Sequence, residues 1–136
     1  MNTEDKITKA ASLIIKGFND PKNTAFKKDH VLSLSKVYDF LFRIEEVGLL
    51  LVEGNSMIAA TVHEHEFVEE KFLAIVHFYG GDRNGSKLLK EVEDWGRVNG
   101  AVVVTNNTMF NKDERIVRYY ESKGYSHVGY SFNKYL

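Results

Sequence analysis

One junction constrains this chain more than any other feature. An apolar run from Phe72 to Tyr79 passes through Gly80, Gly81 and Gly85 into an amphipathic stretch whose Leu88, Leu89, Val92, Trp95 and Val98 recur at helical spacing. Asn99-Gly100 closes that helix, and Ala101 to Thr105 follows as a strand of the buried type. A strand, a helix and a second strand in this order predict a right-handed parallel crossover.

The segment before the junction has a different grammar. Two short apolar runs, Leu49 to Val52 and Met57 to Val62, flank Gly54-Asn55, the dipeptide of a tight hairpin, and the run from Phe72 pairs with the second of them. Three consecutive strands of this kind form an antiparallel meander. Upstream, Ile7, Ala10, Ala11, Ile14, Ile15 and Phe18 mark a first helix capped by Thr3 and stopped by Pro21. A polar stretch from Lys22 to Lys28 leads to a second helix, capped at Asp29, whose apolar face is Val31, Leu34, Tyr38, Leu41 and Phe42 and which ends near Glu45. Downstream, a loop from Asn106 to Lys112 enters a helix from about Asp113 to Ser122, closed by Gly124. Tyr125 to Leu136 is strand-like, interrupted at Gly129. The fold class is therefore α/β: one mixed sheet, an antiparallel meander plus a parallel crossover, with helices on both faces. At 136 residues the chain has the size of a single domain, here taken as 1–136, that needs no metal or disulfide to fold.

Composition excludes several functions. Eighteen Lys and Arg against 19 Asp and Glu leave a net charge of -1, which argues against a general nucleic-acid or anionic-membrane binder. With no cysteine there is no thiolate zinc site and no cysteine nucleophile. No stretch has the length of a membrane span or the apolar core of a signal peptide, so the expectation is a soluble, cytoplasmic protein. What remains is the junction itself. A buried strand that turns through glycines into a helix aims free backbone amides at the helix N-terminus, where phosphate is held. The plainer reading of the same glycines is an ordinary strand-to-helix turn.

Gly80-Gly81-Asp82-Arg83-Asn84-Gly85, followed by Ser86-Lys87-Leu88-Leu89, resembles the cofactor turn of the GNAT superfamily of N-acetyltransferases, which has the pattern R/Q-x-x-G-x-G/A. Gly85 and the helix behind it match; Gly80 stands where the family has Arg or Gln, and Arg83 where it has the middle glycine. Tyr120-Glu121-Ser122-Lys123-Gly124-Tyr125 is similar to the family's Tyr-x-x-x-Gly-Phe ending, with Tyr for Phe. The motifs lie in the block from about Leu49 to the C-terminus, and with the first helices, which fit in order, the resemblance covers about three quarters of the chain. The family's opening strand has no counterpart before Thr3, and a comparably altered turn occurs among bacteriophage members.

The resemblance implies acetyl-CoA as cosubstrate and an amine as acceptor. It assigns the backbone of Ile75, Val76 and His77 to the pantetheine arm, and the turn from Gly80 and Gly81 through Asp82, Arg83, Asn84 and Gly85 to Ser86 to the pyrophosphate, with Arg83, Lys87 and Lys90 adding charge. Tyr120 would contact the cofactor and protonate the departing thiolate. As the base, His77 directly or Glu64 through a water would take the amine proton. The plain reading of His63, Glu64, His65 and Glu66 is an exposed polar sheet face. His63, His65 and His77 lack a third ligand fixed by spacing, so no metal is expected. The alternative is a catalytically inactive GNAT-like binding or structural protein, virion-associated in a phage. The acceptor is not readable from these residues, and a homodimer is left open.

Overall fold

The computed structural model describes residues 1–21, 30–106, 114–128 and 134. Its elements are α1 (Thr3–Phe18), α2 (Leu34–Val47), β1 (Leu49–Glu53), β2 (Ser56–Glu64), β3 (Lys71–Gly80), α3 (Asn84–Val98), β4 (Ala101–Asn106) and α4 (Glu114–Ser122). The sheet runs β1-β2-β3-β4; the first two pairings are antiparallel and β3 with β4 is parallel. The meander and the parallel crossover both follow the sequence pattern. Among the described residues no helix is long and apolar enough to cross a membrane.

Two cores sandwich the sheet. On one face Ile7, Ala10 and Ile14 of α1 and Val37, Leu41 and Ile44 of α2 pack on Leu50, Met57 and Ala59. On the other, Leu88, Leu89 and Val92 of α3 pack on Ile58, Ala60, Leu73 and Ile75. Each fully buried aliphatic side chain contributes roughly 1.5–3 kcal/mol of transfer free energy, so these faces hold the helices to the sheet.

Several local expectations are corrected. Asn2, rather than Thr3, caps α1, its side chain accepting from the Asp5 amide at 2.8 Å. Ser33 caps α2, accepting from the Lys36 amide at 3.3 Å, while Asp29 lies outside the described residues. With the helix starting later and running to Val47, its buried stripe is Val37, Leu41 and Ile44, and Val31, Leu34 and Phe42 are exposed. Val98 is exposed at the end of α3, and Val102 and Val103 are exposed on β4, so that strand is less buried than its apolar run implies. No strand forms over 125–128; the remainder of the closing segment, Gly129 included, lies outside the described residues except for 134.

A β-bulge in β3 decides which face its side chains take. Pairing passes from Ala59 with His77 directly to Ala60 with Ile75, leaving Val76 as the extra residue. Leu73, Ile75 and Phe78 therefore share the α3 face, whereas His77 and Tyr79 turn to the α1 and α2 face.

Candidate active site

β3 and β4 pair from Lys71 with Ala101 to Ile75 with Asn106. Past that pair, Val76 to Gly80 continue without a β4 partner among the described residues. At the Ile75 and Asn106 pair the Asn106 side chain donates to the Tyr120 hydroxyl at 2.6 Å. The Tyr120 ring meets Phe78, Tyr119 and Tyr125 edge-on, at centroid distances of 6.4, 5.4 and 5.4 Å. Burial pushes its phenol up to about 12, partly opposed by the Asn106 hydrogen bond, so the group stays protonated through neutral pH.

The end of α4 fixes this tyrosine in place. The Tyr125 amide donates to the Tyr120 carbonyl at 3.0 Å and the Gly124 amide to the Glu121 carbonyl at 3.0 Å, with Gly124 at φ 90. These are the paired bonds of a Schellman close, and the Tyr120 and Tyr125 rings form the apolar contact that accompanies it. The spacing from Tyr120 to Tyr125 is thus a helix-ending device that also clamps the Tyr120 ring. Tyr119 shares a 2.9 Å hydrogen bond with Ser86, which ties α4 to the start of α3. Tyr125 donates to Glu93 at 2.7 Å; burial, then the Glu93 carboxylate, raise its pKa.

His77 lies on the opposite face. It lines a cavity of about 470 Å³ between α1, residues 30–40 and β3, and burial pulls its imidazole down to about 4, so it is neutral at physiological pH. Ile14, Phe18, Leu32, Val37 and Phe40 supply the apolar wall.

The junction is tightly tied to the β1–β2 hairpin. The Asp82 carboxylate accepts from the Ser56 hydroxyl at 2.6 Å and from the Asn55 and Asn84 amides at 2.8 and 3.0 Å. Ser56 is fully buried. These bonds, led by the Ser56 hydroxyl, hold Asp82 down at about 2. The Gly81 amide donates to the Asn55 carbonyl at 3.1 Å, the Asp82 amide to Ser56 at 3.3 Å and the Gly85 amide to the Asp82 carbonyl at 3.2 Å. Most amides of the turn therefore already have partners within the chain, and a carboxylate stands at the start of α3. The glycines serve close approach: a Cβ on Gly81 would run into the Asn55 carbonyl oxygen, and one on Gly85 would sit 3.1 Å from Gly80 Cα.

The structure thus places Tyr120 on the α3 face, against Phe78 and joined through Tyr119 to Ser86 of the turn, and His77 on the other face of β3. Glu64 lies apart from both: it pairs with Lys71 at the far end of β3, roughly 20 Å along the strand from His77, and is exposed. His63 and His65 share that far end, against Phe72. Arg83 takes ordinary helical backbone, φ -64 and ψ -14, so no glycine is needed there. Lys87 is held by Glu53 at 2.8 Å, which raises its pKa, and Lys90 faces Asp94. Among the described residues no group of three His, Cys, Asp or Glu is placed to hold a metal. Asn106, Ser56 and Phe78 escaped the sequence reading. Asp82-Arg83-Asn84 carries a visible signal for one of these bonds, an Asp two residues before a helix-start amide.

No protein-family profile matches the sequence, and no curated protein matches it significantly. Solved structures do. An acetyltransferase candidate from Arthrobacter sp. FB24 superposes with a TM-score of 0.70 at 15% identity, over 99% of this chain and 93% of its own. An aminoglycoside acetyltransferase from an uncultured soil metagenomic sample gives 0.60 at 15% identity, over 93% and 87%. An acetyltransferase of Trypanosoma brucei gives 0.63 at 11% identity, over 100% and 96%. Likeness at such identities is a likeness of fold, and together with the mixed sheet and its flanking helices it shows that this chain has the fold of the GNAT N-acetyltransferases.

Proposed function

We propose that the protein is an acetyl-CoA-dependent N-acetyltransferase acting on a primary amine. One observation carries this reading: the Asn106 side chain holds Tyr120 beside the Ile75 and Asn106 pair on one face of β3, and His77 lines a cavity on the other. Val76 to Gly80, which have no β4 partner among the described residues, suit an amide-bearing pantetheine arm added as a short strand. In the reaction the amine nitrogen attacks the thioester carbonyl carbon, a C–N bond forms, and the C–S bond breaks with its electron pair leaving on sulfur. The nitrogen loses one proton and the sulfur gains one, which yields the acetamide and the free thiol.

The two side chains suit parts of that exchange. A neutral imidazole held near 4 is too weak a base to deprotonate a free ammonium ion. It can accept the much more acidic proton that nitrogen carries once the carbonyl has been attacked. A phenol held near 12 is a weaker acid than a thiol, which ordinarily titrates near 8.5. Tyr120 would therefore act first by donating a hydrogen bond to the developing thiolate, with the proton reaching sulfur as the thiol departs.

Asp82 favours a second reading. Its carboxylate occupies the start of α3, where a pyrophosphate would be received, and like charges there oppose each other. A GNAT-like protein that binds or assembles without catalysis would retain such a self-closed turn. Calorimetric titration with CoA and with its pantetheine portion alone separates the two readings. Binding of both, with thiol release from acetyl-CoA in the presence of an amine, supports the enzyme; binding of neither supports the non-catalytic protein.

A further inference from the structure

Resting on the acetyl-transfer reading above, we infer that Glu93, a residue of α3 outside the glycine turn, is a positioning residue that sets the place of the Tyr120 phenol through the Tyr125 hydroxyl. The route is short. Tyr125 donates its hydroxyl proton to the Glu93 carboxylate at 2.7 Å and its amide proton to the Tyr120 carbonyl at 3.0 Å, and the two rings meet at 5.4 Å. A phenylalanine at 125, as in the ending this segment resembles, would keep the ring contact and lack the bond to α3.

The shallow seat of α4 gives that bond its weight. All residues of α4, Glu114–Ser122, are at least partly exposed, so apolar burial alone holds the helix weakly and directional bonds must fix it. α3 supplies two of them. Ser86 shares a hydrogen bond with Tyr119 at 2.9 Å and Glu93 accepts from Tyr125. Seven residues apart, Ser86 and Glu93 lie on one stripe of α3, roughly 10 Å from each other along its axis. Buried Leu89 lies between them on that stripe, in the apolar cluster against which Tyr119, Tyr120 and Tyr125 pack. Tyr120 falls between the two anchored tyrosines in the chain. A single anchor leaves α4 free to swivel about it, whereas two fix its angle and with it the reach of the Tyr120 hydroxyl to Asn106. A carboxylate suits the second anchor because a hydrogen bond to a charged acceptor is about twice as strong as a neutral one.

Glu93→Ala removes the anchor while leaving a good helix former in α3, Glu93→Gln keeps an acceptor, and Tyr125→Phe removes the same bond from the other side. Isotope labelling of the oxygen-bearing ring carbon gives each tyrosine an NMR signal, and that of Tyr120 is identified by its loss in Tyr120→Phe. Glu93→Ala and Tyr125→Phe are expected to move the Tyr120 signal, and Glu93→Gln to move it less. With a panel of primary amines, thiol release from acetyl-CoA should show kcat lowered about tenfold in the first two variants and KM for acetyl-CoA unchanged, as when a reacting group is displaced and no binding contact is lost. In the Tyr120→Phe background Glu93→Ala should cost no further rate, because its effect runs through the missing hydroxyl. A displaced Tyr120 signal with no thiol release from wild type sustains the anchor while the enzyme reading fails. A Tyr120 signal unmoved in both Glu93→Ala and Tyr125→Phe overturns the inference, as does a loss of rate equally large in the Tyr120→Phe background.

Discussion

The Tyr120 hydroxyl accepts a hydrogen bond from the Asn106 side chain at 2.6 Å, and Asn106 is the β4 residue that pairs with Ile75. Because that bond is accepted, the phenolic proton remains to be donated elsewhere, and the rings of Phe78, Tyr119 and Tyr125 hold the Tyr120 ring in place. Tyr120→Phe keeps the ring contacts and removes the donor. CoA affinity should hold while turnover falls about 10²-fold, the scale of a positioned proton donor. Thiol-release kinetics beside calorimetric CoA binding check this; a variant as fast as wild type removes Tyr120 from the chemistry.

Much of this arrangement was legible in the sequence, but unevenly. Period-two runs around Gly54-Asn55 gave the meander, and the Tyr120 to Tyr125 spacing gave the helix close, because both are local rules. The side on which His77 falls was not legible. It depends on one extra residue at Val76, which only the cross-strand register with Ala59 and Ala60 reveals. The separation of Glu64 from His77 was not legible for a related reason: alternation assigns a face but says nothing about distance along the strand. The role of Asp82 depends on Ser56 and Asn55, more than twenty residues away in the chain, so the local turn pattern alone implied free amides where the fold supplies partners.

His77 should leave a signature in stability as a function of pH. Burial lowers its folded-state pKa to about 4 from an ordinary 6.5. The unfolded chain therefore binds the extra proton between those values, and the associated stability is present above 6.5 and lost as pH falls toward 4. Full development of that gap corresponds to about 3 kcal/mol. His77→Gln should flatten the decline between pH 6.5 and 4 in urea-denaturation midpoints; an unchanged slope would show that another group titrates there.

Asp82 acts lower on the scale and with its own sign. Its folded-state pKa of about 2 lies below the ordinary 3.8, so its stabilisation is present above 3.8 and lost as pH falls through about 2. Asp82→Asn should lower the melting temperature at neutral pH and remove that acid limb. In the same variant CoA affinity should rise by about fivefold if pyrophosphate is received at the start of α3, because one opposing charge has gone. A fall in affinity would mean that the carboxylate helps to shape the binding turn.

At Gly85 the expected cost is structural first. A side chain there meets Gly80 Cα at 3.1 Å and the Phe78 ring at 3.4 Å, so α3 has to lift from β3. Gly85→Leu should destabilise by about 1–3 kcal/mol, as overpacking does. Loss of CoA affinity beyond what the lost stability explains would place the ligand against this backbone; stability loss alone would make Gly85 a packing glycine.

The most direct measurement is acetyl transfer itself. Purified protein is given acetyl-CoA and a panel of primary amines, thiol release is followed, and each amine is examined by mass spectrometry for its acetamide. The predicted result is acetamide formed in proportion to thiol released, suppressed in Tyr120→Phe. It should be accompanied by thermal stabilisation from CoA, worth about 2.7 kcal/mol at a hundredfold excess over the dissociation constant. No binding heat from millimolar CoA and no acetylated product from any amine tried would contradict the assignment, leaving an acetyltransferase fold put to another use.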